Sequence, residues 1–212
     1  LLGSERRLNT LLKKELLATE ELRPGFTTGT CVCAAVKASI IALEDGAFPN
    51  DVTVYLADGT PARFAIFPNK LDHDVASCSV IKDAGDDPDV THSKEVGCTI
   101  YRREDVGVEF KRGVGIGLVT LPGLQVSVGE PAINPIPRKM ISQLVEEMAQ
   151  HYSIVGGFVV EPFVPEGEEL AKRTFNGRVG VEGGISILGT TGRVFPYSAE
   201  AFMGAIRQQV RV

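Results

Sequence analysis

No periodic stretch of this chain runs far before a glycine or a proline stops it. Glycine (23) and proline (12) supply about a sixth of the 212 residues, above the usual share of roughly 12%. Such an excess calls for many specially shaped turns between short elements, and it is too small for disorder. Asn9 to Leu22 carries Leu11, Leu12, Leu16 and Leu17 near the helical period, and Arg23-Pro24-Gly25 ends it. A small-residue helix follows over Thr30 to Leu43, with Gly46 just past it. Asp51 to Leu56 and Pro61 to Phe67 read as strands joined through Asp58-Gly59, a short hairpin signal. Val75 to Lys82, Gly97 to Arg103 and Val106 to Phe110 read as three more strands, whereas no period persists from Gly113 to Pro137. A helix over Pro137 to Gln150 has proline in its first turn. Then come a strand (Gly157 to Phe163), a short helix (Glu166 to Lys172), a buried strand (Gly184 to Leu188) and a closing helix (Ser198 to Val210). Hairpins first and helix–strand alternation later predict an α+β fold, a mixed β-sheet with packed helices. The expected organisation is one domain over residues 23–212 behind a helical extension over residues 1–22.

Charge removes several classes. Lys and Arg number 22 against 27 Asp and Glu, a net charge of −5. A nucleic-acid coat needs clustered Lys and Arg, so no nucleic-acid partner is expected. No run of 18 apolar residues occurs, which excludes a transmembrane helix and makes a membrane partner unexpected. Leu1-Leu2-Gly3-Ser4-Glu5-Arg6 has no long apolar core after its charges, unlike a signal peptide. The first residue is not Met, so residues are expected ahead of Leu1. Cys31 and Cys33 form a C-x-C pair rather than C-x-x-C, inside a small-residue run; with Cys78 and Cys98 they are expected as buried free thiols of a cytoplasmic protein.

Four segments could carry chemistry. Arg23-Pro-Gly-Phe-Thr-Thr-Gly-Thr30 runs straight into a helix. Gly25 and Gly29 permit close turns, and Thr27, Thr28 and Thr30 offer hydroxyls beside unpaired N–H groups of a first helical turn. That predicts an anion-sized concavity at the positive helix end, or more plainly a threonine N-cap. No Gly-Lys-Ser/Thr follows, so it is not a P-loop. Lys82-Asp83-Ala-Gly-Asp86-Asp87-Pro-Asp89-Val-Thr91-His92 packs four carboxylates into seven residues, which repel unless donors, a cation or shared protons compensate. It reads either as a solvated acidic turn between strands or as a loop that orients a substrate or moves a proton, with His92 as neighbour. In Gly129-Glu130-Pro-Ala-Ile-Asn134-Pro-Ile-Pro137-Arg138, three prolines place Glu130 and Asn134 with little entropy left to lose, unless the segment is simply a rigid linker. Gly183-Gly-Ile-Ser-Ile-Leu-Gly189-Thr190-Thr191-Gly192 runs an apolar strand into a Gly/Thr loop of the kind that exposes donors to ligands, or is a plain strand-to-turn element.

In this order the segments resemble the CbiD family, the cobalt-precorrin-5B C1-methyltransferases of anaerobic cobalamin biosynthesis. Val119-Thr-Leu-Pro-Gly-Leu124 and Gly167-Glu-Glu-Leu-Ala-Lys-Arg-Thr-Phe-Asn176 add to the likeness, which runs from about Arg23 to the end. Leu121 stands where the family commonly has a basic residue, and Ser93 where glycine is usual. The resemblance implies a longer protein whose C-terminal half, with a Rossmann-like sheet, is not in these 212 residues. It also implies methyl transfer from S-adenosylmethionine to C1 of a cobalt-tetrapyrrole, giving cobalt-precorrin-6A. The cobalt is carried by the substrate, no protein metal site is expected, and a homo-oligomer is left open. On that resemblance Asp83, Asp86, Asp87 and His92 are candidate catalytic residues. Thr27, Thr28, Gly29, Thr30, Asp89, Thr91, Glu130, Asn134, Gly189, Thr190, Thr191 and Gly192 are candidates for holding substrate or cofactor. The rival readings are a non-catalytic tetrapyrrole-binding module and a small-molecule kinase; the missing Walker lysine weighs against the latter.

Overall fold

A computed structural model describes residues 22–197. Leu22 apart, the helices expected over Asn9 to Leu22 and Ser198 to Val210 lie outside the described residues. Gly25–Phe26 (β1) leads into α1 (Thr28–Asp45). The Thr27 hydroxyl caps α1 by accepting from the Thr30 amide at 3.2 Å, and Gly46, with φ 79°, closes it in the left-handed conformation. Gly, Ala, Cys, Val and Ser dominate α1, and 13 of its 18 residues are buried, so it is a central helix rather than an amphipathic surface one.

β2 (Asp51–Tyr55) and β3 (Pro61–Ala65) form the expected hairpin, with Tyr55 opposite Pro61. Next come β4 (Phe67–Leu71), β5 (Val75–Ile81), β6 (Glu95–Arg103), β7 (Gly107–Phe110) and β8 (Leu118–Val119). α2 (Pro135–Tyr152), β9 (Gly157–Phe163), α3 (Gly167–Ala171), a 3-10 turn (Asn176–Val179), β10 (Val181–Glu182) and β11 (Arg193–Val194) complete the described chain. The main sheet has the order β4-β5-β6-β9-β7; only the β7–β9 pair is parallel, so the sheet is mixed. One side of α1 packs on β5 and β6, and α2 and β2 pack around the rest of it. Cys31, Cys33, Cys78 and Cys98 are all free and buried in this core.

Two departures from the sequence reading have physical causes. Pro61 to Phe67 is not one strand: β3 pairs with β2, and Phe67–Leu71 starts a separate edge strand of the main sheet. Every residue of β4 is exposed and its register slips between Pro68 and Lys70, so neither alternation nor composition marks it. Gly184 to Leu188 joins through isolated parallel bridges, Ile185 to Ile116 and Ile187 to Ile133, rather than a continuous strand. Those bridges matter for position, because hydrogen bonds from Gly117 to Ile185 and from Ile187 to Ala132 (both 2.8 Å) hold residues 186–188 at the start of α1.

β1 also crosses the loop after β5 at backbone contact. Phe26 N–H donates to Asp83 C=O at 2.7 Å and Asp86 N–H to Arg23 C=O at 3.0 Å. A Cβ on Gly25 would stand 2.0 Å from the Ala84 carbonyl carbon. Gly25→Ala is therefore expected to lower the denaturation midpoint by the equivalent of about 1–3 kcal/mol or more through overpacking. Gly177→Ala, where a Cβ meets open space, should shift it by less than about 0.5 kcal/mol.

Candidate functional site

Three of the four sequence segments meet at the N-terminus of α1. β1 pairs with β11, Thr27 N–H donates to Gly192 C=O (3.1 Å), and the Thr30 hydroxyl donates to the same carbonyl (2.9 Å). Gly29 N–H donates to Leu188 C=O (2.8 Å), while the Thr28 hydroxyl accepts from Leu188 N–H (2.8 Å) and lies 3.3 Å from its carbonyl oxygen. Cys31 N–H bonds back to Thr27 C=O at 3.2 Å. The expected open anion concavity is thus corrected: residues 188–192 pack against it, and its Thr27, Gly29, Thr30 and Cys31 N–H groups are already paired. Gly189 serves close packing, since a Cβ there would lie 2.5 Å from the Thr27 hydroxyl. The Thr191 hydroxyl accepts from Arg193 N–H at 3.3 Å, closing a local turn directly after Thr190, which is not in the cavity lining.

Beside this junction lies a cavity of about 240 Å³. Its polar lining is Thr27, Thr28, Asp89, Thr91, Thr174, Asn176 and Ser186; Val90, Ile185, Leu188 and Val194 make the apolar part. Among the described residues, Asp89 is the one charged group in its lining. One Asp89 oxygen accepts from Lys82 Nζ at 2.7 Å, and the other from the Thr91 amide (2.7 Å) and hydroxyl (2.5 Å). The Lys82 side chain is 0% exposed and that of Asp89 24%. Burial alone would raise the Asp89 carboxyl, but the Lys82 ammonium and the Thr91 donors outweigh it and hold the group below its ordinary value. Behind the pair, burial pushes the Cys31 thiol up to about 12, which makes it an inert packing group.

The remaining acidic residues do other work. Arg23 grips Asp83 with both terminal nitrogens (2.5 and 2.9 Å), and Gly85 N–H adds a third bond to that carboxylate at 2.9 Å. The Arg23 hydrogen bond, with that of Gly85, lowers the Asp83 carboxyl from 3.8 to about 2. Asp86 accepts from Arg23 N–H at 2.6 Å. His92 Nδ1 accepts from Ala84 N–H at 3.1 Å, and its imidazole is partly exposed. Burial first, then the neighbouring Asp89 charge, raises the Asp87 carboxyl. Asp83, Asp86, Asp87 and His92 all stand outside the cavity lining. Glu130 pairs with Arg138 at 3.1 Å, and Asn134 caps α2 through its backbone; they too lie outside.

Sequence reasoning passed over Lys82, Thr174, Asn176 and Ser186. Lys82 had a signal: Ala76, Cys78 and Val80 alternate into the core along β5, and the same period carries Lys82 inward. Thr174 and Asn176 sat unassigned in the Gly167 to Asn176 string, and the 3-10 turn that follows brings them to the cavity. A larger cleft of about 570 Å³, between α1, α2 and β2, is lined by Lys37, Lys139, Tyr55 and Met140 and holds none of the candidate residues. The 240 Å³ cavity is the better candidate because the segments of chemical interest converge there.

Comparison with known proteins agrees with the fold and with these segments. The chain matches the CbiD family over residues 15–196, and it belongs to that family. A cobalt-precorrin-5B C(1)-methyltransferase of Prosthecochloris aestuarii is 49% identical over 195 residues, covering 91% of this chain and 53% of the relative. A relative of the same name from Geobacillus sp. (strain WCH70) is 47% identical over 191 residues, covering 90% and 52%. The crystal structure of the cobalamin biosynthesis protein CbiD from Archaeoglobus fulgidus superimposes with a TM-score of 0.64 at 30% identity, over 88% of this chain and 59% of that one. The chain spans about half the length of the curated relatives it matches. No helix among the described residues is long and apolar enough to cross a membrane.

Because the folded Asp83 carboxyl is depressed, its contribution to stability is present above about 3.8 and disappears as pH falls through about 2. Asp83→Asn is expected to flatten the fall in stability over that window in acid unfolding followed by circular dichroism. With Arg23 and Asp83 56% and 44% exposed, solvent screening keeps the effect small.

Proposed function

We propose that the protein transfers a methyl group from S-adenosylmethionine to C1 of cobalt-precorrin-5B, giving cobalt-precorrin-6A. The observation that carries this reading is the identity of 43–49%, over about 90% of the chain, with relatives named for that reaction. The cavity is compatible with it, since four of the six strings that resemble the family supply its walls. The donor supplies an electrophilic methyl on a sulfonium, whose sulfur keeps the bonding electrons as the methyl leaves.

The chain's own part is placement and exclusion of water. Such placement can supply much of a transfer barrier without a covalent nucleophile on the protein. Asp89 is locked in one orientation by Lys82 and Thr91, and Thr28 is locked by Leu188, so the polar groups facing the cavity need no rearrangement when a ligand enters. The macrocycle brings its own cobalt. A reducing cytoplasm suits the four free buried thiols.

The test is the full-length protein incubated with S-adenosylmethionine and cobalt-precorrin-5B. Expected are a product heavier by one methyl group and one S-adenosylhomocysteine per product. Binding of the tetrapyrrole without methyl transfer would instead favour a carrier module.

A further inference from the structure

We propose that the cavity beside Asp89 seats a cationic group, here the sulfonium end of the methyl donor, and that buried Lys82 is the positioning residue that fixes Asp89 for it. The inference rests on the donor named above and adds where this chain meets it. Four observations carry it.

First, three of the N–H groups in the first helical turn at the cavity are already bonded, those of Gly29, Thr30 and Cys31 to Leu188 C=O, the Thr27 hydroxyl and Thr27 C=O. Second, among the described residues no Lys or Arg lines the cavity; the one charge in that lining is the Asp89 carboxylate, and the rest of its polar part is hydroxyls and an amide. A carboxylate arm of the macrocycle would meet a like charge there, whereas a positive group meets a fixed counter-charge. Third, the counter-ion is behind the site and not in it. Lys82 has no exposed side-chain surface and is not part of the lining, so the pair presents its negative end to the cavity. Fourth, at about 240 Å³ the space is below the roughly 300–1,000 Å³ that encloses a whole drug-sized ligand, which fits one end of a donor and not a tetrapyrrole.

Lys82 acts through Asp89. Stripped of the Lys82 ammonium, the Asp89 carboxyl rises, because burial then meets only the Thr91 donors and its charged form is less favoured. Among the described residues, the titratable groups around Asp89 are Lys82 at the end of β5, Asp83, Asp87 and His92 on its own loop, with His92 N–H donating to Asp89 C=O at 3.0 Å, and Cys31 on α1. The lining from residues 174–176 and 185–188 adds none.

The experiment titrates the full-length protein with S-adenosylmethionine and with S-adenosylhomocysteine, which differ by the methyl group and the charge. Asp89→Asn is expected to weaken S-adenosylmethionine about tenfold or more while moving S-adenosylhomocysteine by less than about threefold, the size of a lost charge-assisted contact. Lys82→Met should show the same selective loss near neutral pH and recover preference for the sulfonium ligand as pH rises and Asp89 ionises. A merely structural lysine would weaken both ligands alike at every pH. Lys82→Arg should restore the preference in part. If either single variant does not fold, Lys82→Met with Asp89→Asn removes both charges and should keep the selective loss of S-adenosylmethionine; an unchanged ratio in that double variant overturns the site. An unchanged ratio of the two dissociation constants in Asp89→Asn overturns the site. If the wild-type protein still methylates cobalt-precorrin-5B in that case, the reaction stands and only the location falls. If the wild type does not methylate, the reaction falls, and the ratio still reads the cationic seat.

Discussion

A lysine ammonium withdrawn from water governs how this half-sheet, half-loop region is built. Leaving Lys82 in the core without a partner would cost several kcal/mol, and Asp89 offsets that at 2.7 Å. To bring Asp89 back over the end of its own strand, the chain must turn sharply after Lys82. Ser93 N–H donates to Lys82 C=O (2.7 Å) and Lys82 N–H to Lys94 C=O (2.9 Å), closing the base of the loop. Ser93 accepts φ 59° to do it, a conformation that glycine would adopt without strain. Arg23 then pins the outer half of the loop through Asp83 and Asp86. Three of the four carboxylates in the acidic run are thus divided by role: Asp83 and Asp86 fasten the loop, and Asp89 faces the cavity.

The Gly/Thr turns invert a common expectation about such motifs. Hydroxyls and free amides beside a helix start suggest an anion site, yet here each turn satisfies the other. Thr28 and Gly29 take the backbone of Leu188, while Thr27 and Thr30 take Gly192. Those bonds tie residues separated by about 160 positions. The charge in the described lining of the cavity comes from Asp89.

Much of the architecture was readable before any coordinates. Gly157–Phe163 agrees residue for residue, the Asp58-Gly59 hairpin is present, and the buried thiols follow from a small-residue helix. β4 was illegible because an exposed edge strand containing Pro68 carries neither apolar alternation nor a full ladder. For the candidate site, three of the four segments singled out in the sequence converge, but hydrogen-bond partners across 60 to 160 residues decide which hydroxyls and carboxylates remain free. Lys82 could have been found by continuing the period of two through β5. Thr174, Asn176 and Ser186 depend on tertiary placement alone.

The central claim is that a methyl donor's charged end sits between Asp89 and the start of α1. Nuclear magnetic resonance of the full-length protein with S-adenosylmethionine labelled with carbon-13 at its methyl group addresses it directly. Cross-relaxation from that methyl to the side-chain methyls of Thr28 and Val90, which line the cavity, is the result the account predicts. Cross-relaxation to Met140 and Ile136 in the larger cleft instead, with none to Thr28 or Val90, would contradict it.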